Sequence, residues 1–413
     1  MPTREFDVIV WGATGFTGQL VAEYLAQTYG SDGELRWALA GRNRSKLEQV
    51  RDSLPNMSDP SPLPLVIADS GDRQSLADMA GRTRVVCTTV GPYARYGSDL
   101  VQACIEAGTD YCDLTGEVQW MVRMIEQHQA AAEQSGARIV HTCGFDSVPS
   151  DMGTWYLQQV ATRNNGRPAK QVKSRIRRMQ GGASGGTIAS MMVMMEEAQA
   201  DPSIRDIMAD PYVLYPAGTA PGQDPGDQRG AVYDKDFNSW TAPFVMAAIN
   251  TRVVRRSNAL LGFPWGEDFR FDESMLSKSR LVAGAGSLAG GLGLIALALG
   301  PTRRLLARVL PKPGEGPDAA TREAGHYQLD FLGIDPADRS ADTAVSVTGH
   351  LDPGYGSTSR MLGEAAVCLA LDTPVTGGGF WTPASALGES YLQRLQTRAG
   401  LDFEELDPTS LTS

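Results

Sequence analysis

The run Val8-Ile9-Val10-Trp11, followed by Gly12-Ala13-Thr14-Gly15-Phe16-Thr17-Gly18, constrains this chain more than any other stretch. An apolar segment of strand length meets a turn with glycine at every third position. Gln19-Leu20-Val21-Ala22-Glu23-Tyr24-Leu25 then continues with apolar residues at helical spacing. Strand, glycine turn and helix open a dinucleotide-binding βαβ unit. Gly12 lets the turn close, Gly15 lets backbone N–H groups approach a pyrophosphate, and Gly18 lets the helix pack closely on the strand. The helix N-terminus then faces the phosphate charge. The spacing is GxxGxxG rather than GxGxxG, so the position after an N-terminal strand carries the reading and the glycines alone do not. A purely structural βα turn is the competing reading.

The chain has 413 residues, 42% of them hydrophobic, which suits two domains with ordinary cores. A net charge of −11 argues against general nucleic-acid binding. Cys87, Cys104, Cys112, Cys143 and Cys368 form no CxxC pair and sit mostly in apolar segments, as expected of buried, reduced thiols. The four histidines, His128, His141, His326 and His350, lack zinc-site spacing, so no metal is expected. The first apolar run is the Rossmann strand itself, not a signal peptide, and a cytoplasmic location is the expectation.

Strands and helices alternate through residue 150. The second strand, Leu35–Ala40, ends in Gly41-Arg42-Asn43-Arg44. An NAD site usually holds an acidic residue here for the ribose 2′-OH. Arg42, with Arg44 and Lys46 nearby, suits a 2′-phosphate instead and favours NADP(H). The alternative is that these cations only cap or solvate the helix starting at Ser45. The third strand, Leu65–Asp69, brings Asp69 and Ser70 to the adenine side. The fourth runs from Arg84 to Val90 and exits through Gly91-Pro92-Tyr93-Ala94-Arg95-Tyr96, where a nicotinamide ribose should sit. Asp110–Asp113 is a short fifth strand with Leu114-Thr115-Gly116-Glu117 as its exit. Arg138–Thr142 is the sixth, leading into Cys143-Gly144-Phe145-Asp146-Ser147-Val148-Pro149-Ser150-Asp151. The pattern predicts an α/β fold with an N-terminal doubly wound parallel sheet.

The motifs GATGFTG, AGRN, VGPY, DLTGE and CGFDSVPSD, in this order, resemble the saccharopine dehydrogenase-like oxidoreductases, and in particular their trans-acting enoyl reductase branch. The C-terminal Asp352-Pro353-Gly354-Tyr355 and Thr382-Pro383-Ala384-Ser385-Ala386-Leu387-Gly388 also fit, so the likeness covers most of the chain. GATGFTG and AGRN recur in other Rossmann families, whereas VGPY, GFDSVPSD and TPA..LG together are more specific. The resemblance implies an NADP-binding domain over residues 1–150, a mixed α/β substrate domain over 151–352, and C-terminal helices over 353–413 packing back on the first domain. It also implies cofactor contacts from residues 12–18, Arg42 and the Val90-Gly91-Pro92-Tyr93 loop, and reduction of an enoyl group on a lipid or polyketide intermediate.

Hydride transfer to an enoyl thioester needs a proton source and donors for the enolate oxygen. Tyr93 and Tyr96 are the first candidates by position, His141 the next, and Asp146 a carboxylate that binds substrate or orients a donor. Each has a plain alternative: Tyr93 as packing beneath the cofactor, His141 as a core residue, Asp146 and Asp151 as helix caps. Ser147 and Cys143 lack a partnered base, which sets covalent catalysis aside.

Four later stretches bear on the substrate. Lys170–Arg178 is strongly basic and reads either as a solvated sheet face or as a docking patch for an acidic carrier protein. Met191, Met192, Met194 and Met195 follow the Gly181–Thr187 turn and read as core or as an adaptable wall for a fatty chain. Residues 201–242, rich in Asp, Pro and Gly, read as a long surface loop or lid. Leu281–Gly300 carries no charge over 20 residues, with Lys278 and Arg280 before it and Arg303, Arg304, Arg308 and Lys312 after it. It reads as a peripheral contact with the inner face of the plasma membrane, as the apolar wall of a lipid site, or as a buried helix. A membrane-spanning segment is disfavoured, because the following residues must return to complete the fold. Pro311–Pro317 reads as a linker. The sequence leaves a homodimer open.

Overall fold

The apolar runs of the first 140 residues become the strands of one parallel sheet in a computed structural model, which describes residues 4–31, 33–55, 63–181, 185–298, 300, 302, 316–372 and 374–412. The expected linker at Pro311–Pro317, part of the Gly181–Thr187 turn and the cations at 303–312 lie wholly or partly outside those residues. The strands are β1 (Phe6–Trp11), β2 (Trp37–Gly41), β3 (Leu65–Ile67), β4 (Thr83–Thr88), β5 (Asp110–Cys112) and β6 (Arg138–Val140), then β7 (Gln171–Gln180), β8 (Val232–Asp234), β9 (Ser239–Ala242), β10 (Arg270–Ser277), β11 (His326–Ile334), β12 (Thr343–Gly349), β13 (Gly379–Trp381) and β14 (Leu401–Leu406).

The first sheet has the order β13-β6-β5-β4-β1-β2-β3, and every pairing in it is parallel. All six residues of β1 are buried, as a strand covered by helices on both faces requires. The chain reverses direction of winding between β1 and β4, which opens a crevice at their carboxyl ends. The second sheet has the order β14-β12-β11-β7-β10-β9-β8 and is mixed, with β7 and β10 parallel and the other pairs antiparallel.

The C-terminal block returns to the first domain through the helix Thr358–Leu371, which packs on β1, β4, β5 and the helix Phe16–Tyr29. Its buried Glu364 accepts hydrogen bonds from the hydroxyls of Tyr24 (2.6 Å) and Tyr29 (2.7 Å) and pairs with Arg394 (3.1 Å). Residues 353–413 are not helices alone: β13 extends the first sheet beside β6, and β14 extends the second beside β12. β13 is three residues following Gly377 and Gly378, too short to show a period.

Asp151 does not cap its own helix, Val148–Asn165. It accepts from the Ala384 N–H (2.8 Å) and the Ser257 hydroxyl, tying three helices together. Glu273 of β10 is likewise buried, accepting from Ser150 (2.6 Å), Ser174 (3.2 Å) and Asn250 (2.7 Å). Burial pushes both carboxyls up to about 7.

Residues 201–242 are not one long loop. They hold the helix Ser203–Ala209, β8 and β9, and the intervening Pro/Gly segment is pinned down. Asp224 pairs with Arg255 (2.7 Å) and Asp227 with Arg252, while Arg256 donates to backbone carbonyls; all three arginines are buried. The basic strand β7 is also largely neutralised internally. Lys173 meets Asp234 (3.0 Å) and Asp236 (2.6 Å), Arg175 meets Asp234 (2.6 Å) and Asp272 (2.6 Å), and Arg177 meets Asp330. These partners neutralise Lys173, Arg175 and Arg177, whereas Lys170 and Arg178 are exposed. All five cysteines are buried and unbridged.

Candidate active site

One cavity of about 1080 Å³ runs from the glycine turn after β1, past the exit loop of β4, into the second domain. At the turn, Gly12 has φ +85°, and a Cβ there would lie 2.6 Å from Val90 Cγ2. A Cβ on Gly18 would lie 2.2 Å from the Gly12 carbonyl oxygen, so Gly18 serves helix–strand contact. Gly15 meets only that same oxygen, at 3.3 Å, and lines the cavity. No side chain caps the helix Phe16–Tyr29, which leaves its first-turn N–H groups for an anion. Thr14, Phe16 and Thr17 line the cavity, whereas Ala13 is buried behind the turn. Tyr355 stacks edge-on against Phe16 at 4.6 Å, and Arg322 lies over the same ring, so the C-terminal block covers the turn.

Arg42 and Ser70 line the cavity beyond β2 and β3. Arg42 is exposed and has no carboxylate partner among the described residues. The neighbouring helix is capped instead by Asn43, whose side chain accepts from the Lys46 N–H at 3.0 Å. Lys46 is exposed and does not line the cavity. Asp69 builds a turn, accepting from the Gly71 N–H at 2.9 Å, and does not line the cavity. A glycine cradle, an uncapped helix and an unpaired guanidinium at these positions fit an NADP(H) molecule.

The exit loop of β4 carries Val90, Gly91, Pro92 and Tyr93; all but Pro92 line the cavity. The Tyr93 hydroxyl donates to the Thr88 carbonyl (3.3 Å) and accepts from the Leu114 N–H (3.4 Å), and its ring stacks on Trp120. Burial, and then the charge of Asp113, push this hydroxyl well above its ordinary value, so Tyr93 is a packed wall. Tyr96 also lines the cavity but is 45% exposed, near its mouth. The sequence reading overlooked Glu117. Its buried carboxylate accepts from the N–H groups of Tyr93 and Ala94 (2.8 Å each) and from the Ser190 hydroxyl (2.6 Å). One side chain thus holds the exit loop and the second-domain helix Gly185–Ala200 together. A carboxylate beside an apolar helix start was the available signal.

Asp146 lines the cavity next to this loop. Burial, reinforced by the nearby Asp113 carboxylate, pushes its carboxyl up to about 7, so near neutrality it can give or take a proton. His141 stands elsewhere. It is 1% exposed, among the rings of Tyr111, Trp120 and Phe380, with Nδ1 2.7 Å from Asp113 Oδ2. It does not reach the cavity, because Asp113 fixes it in the core.

Beyond Asp146 the cavity turns apolar. Met191, Met194 and Met195 line it, so the methionines do more than fill the core. So does the helix Arg280–Ala298, through Gly286, Gly290, Gly293 and Leu297, which share one face. The apolar stretch is therefore a cavity wall and not a buried helix. Among the described residues, no helix is long and apolar enough to cross a membrane.

Comparison with known proteins accords with this geometry. Residues 8–140 match the family model described as the saccharopine dehydrogenase NADP binding domain. A relative from Mycobacterium tuberculosis, provisionally named a trans-acting enoyl reductase, is 42% identical over 417 residues, 97% of each chain. The trans-acting enoyl reductase of Mycobacterium ulcerans is 39% identical over 408 residues, 95% of this chain and 96% of that protein. Among solved structures, apo saccharopine dehydrogenase (L-Glu forming) from Saccharomyces cerevisiae aligns with a TM-score of 0.48 and 13% identity, over 97% of this chain and 100% of that one. With relatives this similar over nearly the full length, the chain belongs to the saccharopine dehydrogenase-like oxidoreductases, among the trans-acting enoyl reductases, and its cofactor is NADP(H).

Proposed function

We propose that the protein reduces the carbon–carbon double bond of an enoyl thioester on a lipid or polyketide intermediate. The observation that carries this reading is the single cavity joining the glycine cradle to an apolar chamber, with Asp146 at the junction. In this reading Gly12, Thr14, Gly15, Phe16 and Thr17 receive the pyrophosphate, with Ala13 and Gly18 shaping the turn behind it. Arg42 takes the 2′-phosphate, Lys46 adds positive charge, and Ser70, beside Asp69, borders the adenine. Val90, Gly91, Pro92 and Tyr93 form the wall at the nicotinamide, held in place by Glu117. When bound, NADPH supplies a hydride, which adds at the β-carbon. Protonated Asp146 then gives its proton to the α-carbon, and Tyr96 borders the substrate at the mouth. The methionines and the glycine face of Arg280–Ala298 enclose the acyl chain and exclude water.

A saccharopine-type substrate, an imine with paired charges, has less support. Asp227 lines the cavity but is already paired with Arg252, and of the other charged lining residues Arg42 and Glu117 belong to the cofactor side, which leaves Asp146 and Arg229. The deciding experiment is NADPH oxidation with enoyl thioesters compared with 2-oxo acid/amine pairs. Turnover is expected with the thioesters. Turnover with the amine pairs alone would replace this reading, and tight NADPH binding without turnover of either would leave a non-catalytic binding protein.

A further inference from the structure

The helix Arg280–Ala298 has a second face that the cavity does not use. Gly286, Gly290, Gly293 and Leu297 border the cavity, whereas Leu281, Leu288 and Leu292 fall on the opposite side at spacings of seven and four. Those three leucines are 83%, 65% and 56% exposed, and Val282 beside them is 59% exposed. Burying leucine is normally favourable, so three aligned and exposed leucines on a helix anchored through buried Ala283 and contacts to β9 and the helix Gly185–Ala200 mark a contact surface.

The surroundings of this face fit a lipid. The helix packs against β8 and β9, where exposed Tyr233 meets Trp240 edge-on at 5.5 Å. Tyr and Trp side chains, apolar with one polar end, suit the boundary between headgroups and acyl chains. Arg280 lies 5.6 Å from the centre of the Trp240 ring, and exposed Lys278 precedes it. In a chain of net charge −11, residues 278–298 hold Lys278 and Arg280 and no Asp or Glu. That local excess is complementary to anionic headgroups and opposite in sign to the rest of the protein.

We propose that the leucine face of Arg280–Ala298, continued by Tyr233 and Trp240, docks the protein on an anionic lipid bilayer. The helix lies in the interface and does not cross it, because its other face closes the cavity. An acyl chain leaving the bilayer then meets the glycine face of the same helix. The docking does not depend on which bond the enzyme reduces.

The test is co-sedimentation of the full-length protein with phosphatidylcholine vesicles, with and without phosphatidylglycerol. The double variant Leu288→Glu, Leu292→Glu is the comparison, and NADPH binding by fluorescence reports whether it is folded. The parent is expected to sediment with the anionic vesicles and much less with neutral ones. The variant is expected to lose at least about tenfold in vesicle partitioning while binding NADPH like the parent. The exposed Leu281→Glu single variant provides a milder second measurement if the double variant does not fold. The proposal is overturned if the parent ignores anionic vesicles, if variant and parent sediment equally, or if the leucine variants instead convert a dimer into a monomer.

Discussion

Arg42 and Asp146 carry the two residue-level claims. Arg42 is an exposed guanidinium at the cavity wall with no carboxylate partner among the described residues, so its replacement disturbs no internal ion pair. Arg42→Ala should weaken NADPH binding about 10- to 100-fold, the worth of a charge-assisted pair of about 2 kcal/mol, and leave NADH nearly unchanged. Equal losses for both cofactors in titrations would refute the 2′-phosphate assignment. Asp146, pushed up to about 7, must be protonated to act as an acid. Activity should hold below about pH 7 and decline above it as the carboxyl ionises. Asp146→Asn should lower kcat about 100-fold or more and abolish that limb, with NADPH affinity unchanged. Arg42 and the glycines were legible in the sequence because local spacing dictates their surroundings. The exclusion of His141 was not, because it depends on Asp113 and three rings brought in from other elements. Glu117 was missed for the same reason: its partners Tyr93, Ala94 and Ser190 are distant in sequence.

Among elements, the helix Arg280–Ala298 shows best what composition leaves open. Its lack of charge was plain, but membrane contact, cavity wall and core helix all require the same residues. Only its orientation, with glycines bordering the cavity and leucines on the opposite face, separates them. A Cβ on Gly290 would meet no atom within 4 Å, so Gly290→Leu should project into the chamber without a clash in the protein. Long-chain enoyl thioesters should then lose about tenfold or more in kcat/KM while short ones are unaffected, and the melting temperature should hold or rise, since Gly costs about 1 kcal/mol in a helix. Equal effects on short and long substrates would remove this helix from the acyl site. The segment 201–242 failed in the other direction. Its Asp, Pro and Gly content resembles a free loop, and the buried arginines that pin it lie on a helix some 30 residues later, as the Asp224–Arg255 and Asp227–Arg252 pairs show.

For the molecule as a whole, the parallel sheet was readable from alternating apolar runs and turns, whereas its seventh strand and the pairing of β14 were not, since both come from the far end of the chain. Long-range contacts also bury Asp151 between three helices and Glu273 of β10 against Ser150, Ser174 and Asn250. Their carboxyls, raised to about 7, bind protons more tightly folded than unfolded. That contribution to stability is complete below about pH 4 and is lost as pH rises through about 7. Asp151→Asn should therefore flatten the fall in melting temperature between about pH 4 and pH 7; an unchanged slope would mean that Asp151 is not protonated in the fold. Both domains meet at the cavity, and the central claim concerns what happens there. NADPH carrying deuterium at the transferable C4 position, incubated with the protein and an enoyl thioester, provides the most direct test. One deuterium at the β-carbon of a saturated thioester is the expected result; a saturated product without label, or label delivered only to the carbon of an imine, would contradict it.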